Sequence, residues 1–441
     1  MRYEEYIRTP EAVWFSTVPA DWRATKMREV FSERNTKVSD KDYPALSVGK
    51  MGVTPQLDTA VKTDNGDNRK LICNGDFAIN SRSDRKGSSG ISQYDGSASL
   101  IITVLKPHHE LNGKFYHYLL RSHYFVEEFY RNGHGLVSDL WTTKWDEMRN
   151  IYIPVPPREE QDQIVRYLDW KVSCINKLIH GYQRQIKLLE ERRHSIVENY
   201  ILKDCNEYRT MALHYAAEFI VDCPHETPLY DPDGCYYVIR TADEGYGELR
   251  TDDVMYKLQE KEYKKRTRRA RLNKGDIVYG REGERWGLAC LVPESNKYCL
   301  GQRMIQIRCN TKFLLPEYAV WLLNANYVYH QGYVEMLGST SPHVNVATIG
   351  SYRIKVPSLD KQKEIAAYIN VQMDNINDAV RHIEKEIALL KEYRTRLISD
   401  VVTGQMDVRG VVVPDYTPED DTVESEADEK TTDEEVSMDA D

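Results

Sequence analysis

Two stretches of this chain carry the same apolar stripe, and that stripe limits what each can become. Residues 153–203, IPVPPREEQDQIVRYLDWKVSCINKLIHGYQRQIKLLEERRHSIVENYILK, place apolar side chains at Ile164, Leu168, Val172, Ile175, Ile179, Tyr182, Ile186, Leu189, Ile196 and Tyr200. From Val172 onward the steps alternate three and four, with one interruption at Arg193. A period of 3.5 keeps one face of a helix against a second helix along its whole length. Adding 201 to each number lands without a gap on Ile365, Ile369, Met373, Ile376, Val380, Ile383, Ile387, Leu390, Leu397 and Val401. The interruption is copied too, as Arg394.

Each stripe follows a segment of the same plan. In residues 1–152, PALSVGKMGV and FAINSR read as strands punctuated by turns such as Asn74-Gly75-Asp76, and SLIITVLKP reads as a β-branched strand stopped by Pro107. A helix after Asn112 would present Phe115, Tyr116, Tyr118, Leu119, Leu120, Phe125 and Phe129. Residues 207–353 repeat this order: RLNKGDIVYG puts Gly275-Asp276 at an offset of 200 from Gly75-Asp76, RMIQIR takes the place of SLIITV, and LLPEYAVWLLNANYVYH supplies the helix. The expected fold class is therefore α+β, with two tandem α/β domains separated by two long helices. A duplication of this kind closes most simply about a pseudo-twofold axis, which would pair the helices as an intramolecular antiparallel coiled coil. About 45 residues at about 1.5 Å each make a rod of roughly 65 Å, longer than one turn of B-DNA at about 34 Å. The stripe alone is more often ordinary bundle packing than a spacer; its gapless copy favours the spacer.

The chain is 441 residues long, too long for one ordinary core, and its hydrophobic content of 41% suffices for globular domains. No apolar run reaches the length of a membrane span, and MRYEEYIRTPEAVW lacks the pattern of a secretory leader, so a cytoplasmic protein with no membrane partner is expected. The eight cysteines fall at irregular spacings, which favours reduced, mostly buried thiols over disulfides or zinc. The net charge of −10 is uneven: residues 415–441 hold thirteen acids and one Lys, a net of −12, leaving +2 on the rest. Such a tail is expected to be disordered.

The basic clusters are the candidates for binding. KEYKKRTRRARLNK, residues 261–274, carries Lys261, Lys264, Lys265, Arg266, Arg268, Arg269, Arg271 and Lys274 against a single acid, Glu262. Phosphates reward that density through counterion release, and arginine also suits guanine edges; a solvated face is the alternative. The first half has Arg82, Arg85 and Lys86 in RSDRKGSSG, and the second has Arg281 and Arg285 in the corresponding place. GSTSPHVN adds Ser339, Thr340, His343 and Asn345, which suit phosphate or base contacts and suit a capped turn equally well. No phosphate-binding glycine loop, dinucleotide fingerprint, zinc-protease helix or nucleophile elbow occurs. Asp252, Glu262 and Lys264 could be imagined as a nuclease set, but they lie in a charged stretch without flanking apolar strands. No catalytic residue and no metal site are expected.

IPVPPREEQDQIVRYLD opening the first helix, IKVPSLDKQKEIAAYIN opening the second, the strand entry at Leu272 to Ile277 and the ending VVTGQMDVR together resemble the specificity subunit of type I restriction-modification systems. The resemblance covers nearly everything before the tail. It implies a first target-recognition domain at 1–152, a first conserved spacer helix at 153–206, a second recognition domain at 207–353, a second spacer helix at 354–410 and the acidic tail at 411–441. It implies a non-catalytic subunit that reads a bipartite double-stranded DNA site. Its partners would be two methyltransferase subunits, which bind the S-adenosylmethionine this chain does not, and a translocating nuclease subunit. Two departures stand out: the first helix ends ENYILKD without the turn at Thr403-Gly404, and Gly181 interrupts it, so local loosening is expected there. The competing readings are a self-contained methyltransferase-nuclease and a coiled-coil scaffold that binds no DNA.

Overall fold

The computed structural model describes residues 2–56, 66–108, 111–135, 141–250, 255–283, 286–336 and 343–418, excluding the side chains of residues 83, 335 and 336. The chain divides into two compact units. One is built from residues 1–182 and 385–441, the other from 183–384. Each unit therefore holds one globular domain and one half of each long helix.

In the first unit, strands Ser89–Ile91, Phe77–Asn80, Ile102–Pro107 and Phe31–Glu33 form an antiparallel sheet in that order. The second unit repeats the order with Ala289–Leu291, Ile277–Gly280, Met304–Cys309 and Ala217–Asp222, and adds Gly247–Glu248 at the edge. Turn chemistry explains how both central strands begin. Gly75 and Gly275 take φ values of +87° and +86°, which glycine adopts without steric cost. The following Asp76 and Asp276 each accept the amide three residues back, from Cys73 at 2.9 Å and Asn273 at 2.7 Å. Each carboxylate also holds an arginine, Arg34 just past the strand Phe31–Glu33 at 2.6 Å and Arg308 in the neighbouring strand Met304–Cys309 at 2.7 Å, and raises the pKa of that guanidinium. The repeated Gly-Asp is thus a strand-entry device.

The expected single helix after Asn112 is two, Gly113–Arg121 and His123–Arg131. Ser122 separates them with ψ of 146°, and its hydroxyl donates to the Leu119 carbonyl at 2.7 Å. The matching helix in the second unit is likewise divided, Pro316–Leu323 and Asn326–Met336. There Asn324 turns aside to bond both the amide and the carbonyl of Ala289, at 3.1 and 2.8 Å.

The long helices run Arg158–Leu202 and Leu359–Val402. The strand before each belongs to its domain: Tyr152–Val155 pairs with Arg23–Lys26, and Arg353–Val356 pairs with Arg209–Ala212. Just inside each helix lies a buried glutamine. Gln161 donates to the Pro156 carbonyl at 2.9 Å and accepts the Asn112 amide at 3.3 Å. Gln362, with no exposed surface, donates to the Pro357 and Phe313 carbonyls at 2.9 and 2.8 Å and accepts the Leu315 amide at 2.8 Å. The same side chain thus clamps each long helix to the N-terminal cap of a domain helix, Gly113–Arg121 in the first unit and Pro316–Leu323 in the second.

Within each unit the two helix halves run antiparallel. In the first, Tyr167 reaches Met406 and Asn176 meets Arg394; in the second, Tyr200 stacks on Tyr368 at 3.9 Å and Arg193 meets Asn377. The seam is buried at Ile164, Leu168, Val172, Ile175 and Ile179, and again at Ile365, Ile369, Met373 and Ile376. Tyr182, Ile186, Leu189, Val380, Ile383, Ile387 and Leu390 are half-buried. Toward the C-terminus of the first helix the core shifts by one position, to Val197 and Ile201, while Ile196 stays half-buried; Leu397 and Val401 are buried in the second. The first helix continues through Gly181 without a break. It ends on Asp204 at φ +57°, a left-handed turn residue in the role that Gly404, at +74°, plays for the second.

After Gly404 the chain folds back onto the first unit, where Gln163 donates to the Val408 and Val411 carbonyls at 3.0 and 2.7 Å. Val411 and Val413 pack against the first core, so the segment read as tail from residue 411 begins with packed residues. Residues 419–441 lie outside the described residues. Of the eight cysteines, all free, four are buried and Cys174 and Cys235 are exposed; burial pushes the Cys299 and Cys309 thiols up to about 12.

The clamp yields a prediction. Gln362→Leu keeps the volume but leaves the Leu315 amide and two carbonyls unmet, at about 1–3 kcal/mol for a buried unsatisfied group. Denaturant unfolding should show that loss for Gln362→Leu and a smaller one for Gln161→Leu, which makes two such bonds rather than three, one of them at 3.3 Å.

Candidate nucleic-acid interface

The sequence candidates fall into two places, and the structure changes the role of several. The first is the basic stretch of the second domain, where Glu260–Arg266 is a helix whose last turn is cationic. Arg266 is the correction: it is 6% exposed, and its guanidinium donates to the carbonyls of Leu300 at 3.0 and 3.1 Å, Glu226 at 2.8 Å and Pro224 at 3.4 Å. Those bonds use its fork as an internal strut, leaving little of it to meet a phosphate. Lys264 is held by Glu260 at 2.7 Å and Lys265 by Glu226, a contact that lowers the Glu226 pKa and raises that of Lys265. Arg268, Arg269, Arg271 and Lys274 are exposed and make no ion pair among the described residues. With Lys261, which is likewise exposed and makes no ion pair among the described residues, the run of eight cations has resolved into one strut, two paired lysines and five open cations.

The second place is a junction of three loops, built twice. In the first domain Ser81 follows a central strand; its amide donates to the Ile101 carbonyl at 3.3 Å, and its carbonyl accepts from the Thr143 amide at 2.9 Å. In the second domain the Arg281 amide donates to the Arg303 carbonyl at 3.0 Å, and the Arg281 carbonyl accepts from Val344 at 2.9 Å. The next residues form matching antiparallel bridges, Arg82 with Thr142 and Glu282 with His343. RSDRKGSSG and the segment at Arg281 are therefore the same loop in space, as their spacing suggested. GSTSPHVN joins the second junction through His343, whose Nε2 lies 3.3 Å from the Asn345 Oδ1.

Charge at the two junctions differs. Arg82 lies 3.3 Å from Asp84, Arg85 lies 4.0 Å from the same carboxylate, and Lys86 pairs with Glu127 at 2.7 Å beneath the Tyr130 ring. Arg281 is a second correction. It is 6% exposed and faces Asp222 at 3.2 Å and Glu282 at 2.8 Å, so it neutralises acids inside the domain. Arg285, Ser339 and Thr340 lie outside the described residues, as does Asp252. Sequence reading missed Arg303, exposed at φ +68°, and Gln302, whose Nε2 lies 3.4 Å from the Thr227 Oγ1. It also missed His225, which pairs with Asp222 at 3.1 Å. Their only signal was position, at the offset already established from the first domain's turn.

The seam arginines also find partners. Arg394 donates to the Asn176 Oδ1 at 2.7 Å and Arg193 to the Asn377 Oδ1 at 2.5 Å, while Asn377 donates to Glu248 at 2.6 Å. Each arginine meets an asparagine of the opposite helix, and the two pairs are copies of one another. Among the described residues no cluster of three metal-ligating side chains occurs, and no helix is long and apolar enough to cross a membrane.

Duplicated domains, each clamped to a long helix and each ending in the same loop junction, now stand beside known proteins. A model of the family described as type I restriction modification DNA specificity domain matches residues 19–188 and 227–389. The chain belongs to that family. It is 20% identical over 280 residues to the type I restriction enzyme MjaVIII specificity subunit of Methanocaldococcus jannaschii, a match covering 59% of this chain and 64% of that protein. The chain thus spans a little under two thirds of that relative's length. It is 19% identical over 433 residues to a provisionally named type I restriction enzyme MjaX specificity subunit of the same organism, covering 89% of this chain and 95% of the relative. A solved structure described as "Structural basis underlying complex assembly and conformational transition of the type I R-M system" superposes with a TM-score of 0.59 at 14% identity, over 88% of this chain and 99% of that one. That last likeness is one of fold.

The division of roles predicts separable effects. Arg266→Ala should destabilise the chain by about 1–3 kcal/mol by orphaning buried carbonyls, whereas Arg268→Ala with Arg269→Ala should stay within about 0.5 kcal/mol, both read by denaturant unfolding.

Proposed function

We propose that this chain is the DNA-reading subunit of a type I restriction-modification complex. It recognises a split double-stranded site, with one half read by each domain. Its own chemistry is binding; methylation, and cleavage where a nuclease joins, belong to partner subunits. Two methyltransferase subunits are the expected partners, and S-adenosylmethionine is theirs to bind. A cytoplasmic location follows from that role.

The observation that carries this reading is the duplication of the loop junction. Membership of the specificity-domain family supports DNA as the ligand, and a junction built twice, with cations at or near it in each domain, supports two points of contact rather than one. Contacts to phosphate would position each domain, while a few side chains at base edges would select sequence. Arg268, Arg269, Arg271 and Lys274 suit the positioning role in the second domain, and Arg82, Arg85 and Lys86 suit it in the first. Their carboxylate partners are mostly exposed, so the pairs open at little cost when a phosphate replaces the acid.

Mapping N6-methyladenine across the host genome, with and without the gene, tests the reading. The expected result is a split motif that vanishes on deletion; no change in any methylated motif would overturn it. Binding of the purified chain to that site at several salt concentrations supplies a residue-level check. Arg268→Ala with Arg269→Ala should lower the salt slope by about one for each phosphate contact removed.

A further inference from the structure

The equivalent turns at the two junctions differ in chemistry. In the first domain the turn between strands Gly96–Ala98 and Ile102–Pro107 presents Leu100 and Ile101, 42% and 41% exposed. In the second, the turn between Tyr298–Leu300 and Met304–Cys309 presents Gln302 and Arg303. Shared backbone bonds, Ser81 to Ile101 and Arg281 to Arg303, make these one place in the fold.

Turn tips are ordinarily polar, so two large apolar side chains side by side at one need a reason. Arg82 follows directly on Ser81, and Arg85 and Lys86 lie in the same loop. An apolar tip beside cations matches a DNA groove, whose rim is anionic and whose floor offers the thymine methyl as its apolar feature. Arg303 offers the opposite chemistry. Its backbone sits at φ +68°, a conformation that costs energy for a residue other than glycine, and it is exposed without an ion pair among the described residues. The guanidinium fork pairs bidentately with guanine O6 and N7.

Building on the DNA-reading role proposed above, we infer that the two half-sites are read with different chemistry. Leu100 and Ile101 contact a thymine methyl in one half, and Arg303 donates to a guanine major-groove edge in the other.

Base analogues test this with the unaltered chain. Once methylation mapping has supplied the motif, each thymine is replaced singly by deoxyuridine, which lacks the methyl, and each guanine by 7-deazaguanine, which lacks the N7 acceptor. The expected result is one thymine whose replacement weakens binding severalfold and, in the other half-site, one guanine whose replacement weakens it about tenfold. Leu100→Ser with Ile101→Ser should no longer feel the deoxyuridine, and Arg303→Ala should no longer feel the 7-deazaguanine. Flat analogue profiles for the unaltered chain on a confirmed motif would overturn this inference alone, whereas the absence of any split motif would overturn the parent reading. If Leu100→Ser with Ile101→Ser kept the wild-type analogue profile and lost its methyltransferase subunit, the turn would be a protein contact and the inference would fail.

Discussion

Two helices cannot bury their shared seam by themselves, because each covers only one side of the other. The seam of this protein is fully buried only toward the ends of the helix halves, where a globular domain lies against it; nearer the middle of each helix Tyr182, Ile186, Ile383 and Ile387 remain half-buried. Everything else depends on holding those domains in place. Gln161 and Gln362 do so by bonding, in a buried setting, to the carbonyl before their own helix and to the amide that caps the domain helix Gly113–Arg121 or Pro316–Leu323. A buried primary amide left half-satisfied would cost more than the apolar residue it displaces, so these positions act as all-or-none clamps.

The Arg–Asn pairs add specificity to that frame. A polar residue within an apolar seam costs stability and rewards the one alignment that satisfies it. Arg394 bonds Asn176 and Arg193 bonds Asn377 in the same register, and a slip of one heptad would part both pairs. What looks like a copied defect in the pattern is therefore a register mark.

The sequence disclosed this frame well, and for a physical reason. Periodicity and duplication are properties of many residues at once, so no single misreading of Ile196 or Gly181 could hide them. The binding surface was less legible. Arg266 and Arg269 are indistinguishable in a charge run, yet one is enclosed by three residues' carbonyls and the other open, and only the path of the chain around Leu300 decides between them. Arg281 reads as a basic loop residue in isolation; Asp222, 59 residues earlier, makes it internal. Conversely Arg303 carried no local signal, because its importance lies in the turn it occupies. The divided helices at Ser122 and Asn324 show the same limit, since the apolar face continues across a break set by one side chain's bond to the backbone.

The first unit is assembled from both ends of the chain, with Leu397, Val401, Val402 and Val408 completing a core begun by Phe15 and Trp22. During synthesis the second unit, residues 183–384, is whole before those residues emerge. The domain made first is therefore the one that closes last: Ile164, Leu168 and Ile175 must wait, uncovered by their eventual neighbours, until residues 397–408 have left the ribosome. A truncation anywhere between residues 385 and 408 would thus spare the later-made unit and leave the earlier-made one open, and the chain's far end acts as the latch on its beginning.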